Sequence, residues 1–196
     1  MSPSGVDRRG FLAGMAAASA LTGLGGRAKA QAAPTVVIVH AAGVSQLEGD
    51  EQARRIRQML TAGMNRLTGL QGAAAWESLF KPDDTVLLKV NCLAPTLSPK
   101  VTLVDSAARG VIRAGVPGEQ TLVWERTERE LVAAGFTLGA NANGYQVVAT
   151  DAQGGHDEAP SQHGTVTQRL PKLLSERATA ILNLPIIKDH DLTGFT

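Results

Sequence analysis

The sequence predicts an open, mostly parallel α/β sheet with helices on both faces. Two observations carry that expectation: from residue 35 onward short β-branched runs alternate with amphipathic stretches, and the amphipathic stretches end in capping signals. A third bounds it, because Cys92 is the only cysteine, so no internal disulfide framework is available and a hydrophobic core must hold the chain.

In chain order, "TVVIVH" (Thr35 to His40) has the β-branched character of a strand buried on both faces. From Glu51 to Leu67 the residues Ile56, Met59, Leu60, Met64 and Leu67 share one helical face, with Arg54, Arg55, Arg57 and Arg66 largely off it. "DTVLLKVN" (Asp84 to Asn91) is the second strand. A helix follows, with Ser98 as N-cap, Pro99 in the first turn and Gly115 as the stop. "TLVWE" (Thr121 to Glu125) is a third strand, and Thr127 to Glu130 form a capping box for a short helix ending near Gly135. "YQVVATD" and "TAILNLP" supply the fourth and fifth strands.

The first thirty residues read as a separate element. Arg8 and Arg9 precede a modest apolar stretch and the A-x-A pattern Ala28-Lys29-Ala30, which is the form of a twin-arginine export signal cleaved after Ala30. The alternative is an N-terminal membrane anchor; against it, the apolar run is short and broken by Gly and Ser. Residues 31–196 then make a single α/β domain, expected in the periplasm, with the export machinery as a partner and no stable membrane anchor after cleavage. Taking the leader's four basic residues and one acid from the chain's 19 and 18 leaves 15 basic against 17 acidic residues. That balance lacks the basic footprint of nucleic-acid recognition or of a membrane-surface role.

In open α/β sheets ligands sit beyond the carboxyl ends of the strands, so the residues after each strand are the ones to read for function. After the second strand stand Lys89, Asn91 and the helix opening at Ser98, where a helix N-terminus with Lys89 or Lys100 suits an anion. Alternatively, Lys89 faces solvent and Asn91 caps a turn. Glu125 ends the third strand and could act as a base or bind a cation, or pair with Arg126 or Arg129. After the fifth strand come Lys188, Asp189, His190 and Asp191, where His190 could ligate a metal or shuttle a proton given partners from other loops. His156 and His163 lie in a segment rich in Gly, Ser, Asp and Pro that reads as an exposed loop. There is no GxGxxG, Walker or GxSxG motif, which weakens nucleotide-binding and serine-hydrolase readings.

Three stretches together, "VLLKVNCLAP" running into "SPKVTLVDSAARGVIRAG", the strand ending "VWE", and "AILNLPIIKDHDLTGFT", resemble the family known as domain of unknown function 362. Lys188, His190, Thr193, Gly194 and Thr196 match the first part of that family's terminal signature, and the Lys-Asn pair expected next is absent. The resemblance therefore implies the N-terminal part of a longer domain, with the sheet incomplete in this chain. Asp189 departs from the small or hydroxyl residue usual in the family.

The resemblance carries Lys89, Asn91, Glu125, Lys188 and His190 over as site positions. Some relatives add a ferredoxin-like iron–sulfur module, implying redox company; this sequence shows no such module, and one thiol cannot hold a four-thiolate cluster. Two functions are expected. The first is a metal- or cofactor-dependent, redox-associated enzyme acting on an anionic small molecule. In it His190, Lys188 and Glu125 are catalytic, Lys89, Asn91, Ser98 and Thr193 bind the ligand, and His190 is the metal candidate. The second is a periplasmic binding or accessory protein without turnover.

Overall fold

Val86–Val90 (β1) is buried along almost its whole length because a strand lies on each side of it. The computed structural model describes residues 35–190, 194 and 195; the expected export signal and Thr193 lie outside them. β1 pairs in parallel with Thr121–Glu125 (β2) on one side and with Ala180–Leu184 (β7) on the other. β2 pairs in parallel with Gln146–Ala149 (β4), whose outer edge carries the short antiparallel strand Gly139–Ala140 (β3). The order β3-β4-β2-β1-β7 makes the mostly parallel sheet that the alternating pattern predicts.

The helices are Gly49–Thr68 (α1), Ala73–Glu77 (α2), Val101–Arg113 (α3) and Glu128–Ala133 (α4). Two small hairpins complete the elements, Ser161–His163 with Val166–Gln168 (β5, β6) and Asp189–His190 with Gly194–Phe195 (β8, β9). Side chains alternate across the sheet, so the two faces collect different partners. Val86, Leu88, Val90, Val123, Val147 and Ala149 face the main core, built with Met64 of α1, Trp76 of α2, Leu131 of α4 and the apolar stripe of α3. Leu87, Leu122 and Trp124 face the other way and are met by Leu173, from a single π-helical turn at Leu173–Arg177. Helical segments thus lie on both faces, unequally.

Three local expectations are corrected. Thr35 to His40 forms no ladder: Val36 and Ile38 are 84% and 88% exposed, while Val39 rests against Gly63 of α1. It pairs with no described strand, although β7 is an edge strand with one partner only. Ser98 does not cap α3. Its hydroxyl donates to the Ala94 carbonyl at 3.1 Å, closing the 3₁₀ turn Pro95–Leu97, and the helix starts later, with Lys100 at the cap position and no side-chain cap. The segment around His163 is exposed as expected, but forms the β5–β6 hairpin.

Other capping signals hold. Thr127 Oγ1 accepts from the Glu130 amide at 3.3 Å, while the Glu130 carboxylate turns to Arg126. Gly115, at φ 98°, ends α3, and its N–H donates to the Ile112 carbonyl. Gly110 is required by packing rather than conformation: a Cβ there would lie 2.3 Å from Cε2 of Trp76, so α2 sits directly on the α3 backbone.

Two outcomes are expected. Gly110→Ala forces the indole aside and costs about 1–3 kcal/mol, read as a lowered urea midpoint. Acid weakens the fold through two carboxylates. The Thr179 hydroxyl, then the Lys81 amide, hold Asp84 below its ordinary 3.8; for Glu130, burial pushes upward but is outweighed by Arg126, Thr127 and Arg129, leaving it below 4.5. Depressed folded values mean that this stability is present above the unfolded values and lost as pH falls through the folded ones. Thermal midpoints should therefore drop as pH is taken below 4.5, and Asp84→Asn should flatten part of that drop.

Candidate functional site

The register of the sheet places the strand ends side by side: Lys89 opposite Trp124 and Asn183, and Val90 opposite Leu184. From β1 the chain moves through α3 to β2 and through α4 to β4, always to one side, whereas β7 lies on the other side of β1. The strand order therefore reverses between β1 and β7, and the crevice beyond their carboxyl ends is where an open α/β sheet takes a ligand.

On the β2 side of this crevice Glu125 is 6% exposed and fully occupied. Its Oε1 accepts from Lys89 Nζ at 3.1 Å and from the Arg126 amide at 2.7 Å, and its Oε2 accepts from the Cys92 amide at 2.8 Å. Lys89 Nζ also lies 5.6 Å from the Trp124 ring centroid, within cation–π range, and donates to the Val90 carbonyl. A carboxylate with this many donors is a clamp between the ends of β1 and β2. It is not placed as an open base or cation ligand, and of the two sequence readings the ion pair is realised, with Lys89 as the partner rather than Arg126 or Arg129. Lys89 accordingly is no solvent-facing residue.

On the β7 side Lys188 reaches back to the loop after β1. Its Nζ is 3.4 Å from Asn91 Oδ1 and 3.4 Å from the Leu97 carbonyl oxygen, long contacts that leave a third N–H directed elsewhere. Among the described residues no carboxylate lies within ion-pair distance of Lys188; Asp189, next in the chain, is exposed in β8. The structure thus pairs Lys89 with Glu125 and Lys188 with Asn91. Ser98 is nearby in another role, since its hydroxyl donates to the Ala94 carbonyl. His190 contributes its backbone to the β8–β9 hairpin, and its side chain, like Thr193, is outside what is described. Among the described residues no three His, Cys, Asp or Glu side chains gather at a metal-binding distance, and His156 and His163 are exposed.

Two contributions escape sequence reasoning. One is Cys92, which is fully buried, so that desolvation, then the neighbouring Glu125 charge, push its thiol up to about 11. It is a neutral packing group whose amide secures the clamp. The other is a cavity of ≈310 Å³ between α1, the start of α3 and the chain leaving β7, lined almost entirely by apolar atoms, including those of Ile56, Met59, Leu60, Leu103 and Ile186. A signal for it exists: the apolar run continues past Pro185 into Ile186 and Ile187, where a surface loop would turn polar.

Fold and site together define an open α/β protein with Lys188 near a strand-order reversal and an apolar cavity lined in part by the same two loops. Comparison with family models, with curated proteins and with solved structures finds no match to this chain.

The clamp has a measurable consequence. In wild-type protein Cys92 should resist iodoacetamide at neutral pH until denaturant is added. Glu125→Gln, which removes a charge and one acceptor oxygen from three donors, should cost about 1–3 kcal/mol in urea unfolding and speed alkylation, both by loosening the loop and by lowering the thiol's pKa. Alkylation of the native wild-type protein as fast as of free thiol would contradict the buried position.

Proposed function

We propose that this chain is an exported α/β protein of the domain-of-unknown-function-362 kind that binds an anionic small molecule in the crevice between β1 and β7. The observation that carries the reading is Lys188: a half-buried ammonium, set at the strand-order reversal, whose partners are the neutral oxygens of Asn91 and Leu97. A positive charge held by neutral acceptors favours an anion, while Lys89, already balanced by Glu125, adds little net charge. Asn91 and Lys89 shape the crevice wall, and Glu125 fixes the loop that carries Asn91. Of the two functions weighed from sequence, these contacts favour binding. Turnover with His190 as proton carrier, a bound metal, and iron–sulfur company rest on the resemblance alone.

Calorimetric titration of the whole exported protein with succinate and with inorganic phosphate tests this. Lys188→Met should weaken binding of whichever anion binds by roughly tenfold or more, since hydrogen bonds to charged groups contribute about 1.5–3 kcal/mol. Unchanged affinity in Lys188→Met, or no binding of either anion, would remove the reading. Stoichiometric metal or a chromophore in the natively exported protein, lost in His190→Ala, would instead favour the enzyme.

A further inference from the structure

The same two loops that build the cationic crevice also build the apolar cavity. The loop after β1 gives Asn91 and the Leu97 carbonyl to Lys188, then Pro99 and Lys100 to the cavity wall. The chain after β7 gives Pro185 and Ile186 to the cavity and, two residues on, Lys188 to the crevice. Polar and apolar halves are therefore adjacent by construction. The cavity's volume of ≈310 Å³ has room for about ten non-hydrogen atoms at roughly 30 Å³ apiece, one water's share of the liquid. Such a volume stands at the small end of the range for ligand pockets, about 300–1,000 Å³.

Charge is distributed to match. Lys100 stands on the cavity wall at the cap position of α3, whose first turn has no side-chain cap, and Lys188 lies beyond Ile186. Lys100 is part of a wall otherwise made almost entirely of hydrocarbon, and Lys188 follows the lining residue Ile186 by two positions along the chain. Glu125, the nearest buried carboxylate, is neutralised by Lys89, and Asp189 is exposed. A ligand that satisfies all of this has one anionic head for Lys188 and one apolar tail for the cavity.

We propose that the ligand is an amphipathic monocarboxylate, its head held by Lys188 and its tail enclosed by Ile56, Met59, Leu60, Leu103 and Ile186. This rests on the anion-binding reading and extends it to a substrate class. Neither a small dianion nor a wholly polar metabolite would use the apolar wall.

The test titrates the whole protein with straight-chain alkanoates from butanoate to decanoate and with the corresponding alkanols. Affinity for the acids should rise about fourfold for each added methylene until the cavity is filled, from about 0.8 kcal/mol per buried methylene converted at 1.4 kcal/mol per tenfold. Lys188→Met should weaken every acid by a similar factor and leave the slope intact, whereas Ile186→Trp, which fills the cavity, should flatten the slope. Acids that bind through Lys188 with no dependence on chain length would sink the proposal while sparing the anion site. Alkanols that bind as tightly as the acids would sink both, leaving an apolar cavity alone. The acid–alcohol comparison needs no variant, so it decides the matter even if Ile186→Trp fails to fold.

Discussion

Glu125 sits at the end of a strand with almost no access to water, and a carboxylate in that position is tolerated only because its charge is met at once. Lys89 supplies the counter-charge from β1, and the amides of Cys92 and Arg126 supply two further donors. Removing a charge from water costs several kcal/mol, so the group either finds these partners or stays protonated. Satisfying it fixes where β1 stops, how the chain turns at Cys92, and which way Asn91 leaves the sheet. The geometry of the loop that runs on to α3 then follows, including the position of the Leu97 carbonyl. Everything at the candidate site hangs from that clamp, although the clamp itself is closed to ligands.

The arrangement divides labour between residues that look alike in sequence. Lys89 and Lys188 both follow apolar runs and both stand at strand ends. One is consumed by a buried carboxylate and an indole face; the other meets neutral oxygens and keeps its charge for the crevice. Burial of the counter-ion decides between the two roles. A strand that ends in an acid converts its neighbour's lysine into structure, and β7, which ends in Leu184 and Pro185, makes no such demand on Lys188.

Much of this was legible beforehand. Four of the five strands and three helices follow from period and caps, and the strand-end rule pointed to Lys89, Glu125, Asn91 and Lys188, which the structure shows as two pairs. What was misread was misread for physical reasons. Thr35 to His40 has strand composition, but composition reports only that a residue suits a ladder, not that the segment docks on one. Ser98 is a good N-cap type, but its hydroxyl had a nearer acceptor in the Ala94 carbonyl. The helix at Ala73–Glu77 is five residues long, too short for a periodic signal, and is held by Trp76 against Gly110 instead of by its own propensity. The role of Glu125 turned on burial, which a single sequence does not report.

The pairing of β7 with β1 joins segments 94 residues apart, as the Thr85–Thr179 hydrogen bond at the start of the two strands shows. Parallel pairing at that separation carries the largest loop-closure cost in the sheet, because the whole β2–β4 half lies within the loop being closed. A chain that has assembled only β1, β2 and β4 already holds its buried carboxylate satisfied, yet has no crevice, since Lys188 and Ile186 arrive with β7. Binding competence is therefore expected to be the last property the chain acquires as it folds. On the proposed anion-binding reading, ligand affinity would gauge complete assembly, silent on every partly formed state in which the sheet is otherwise sound.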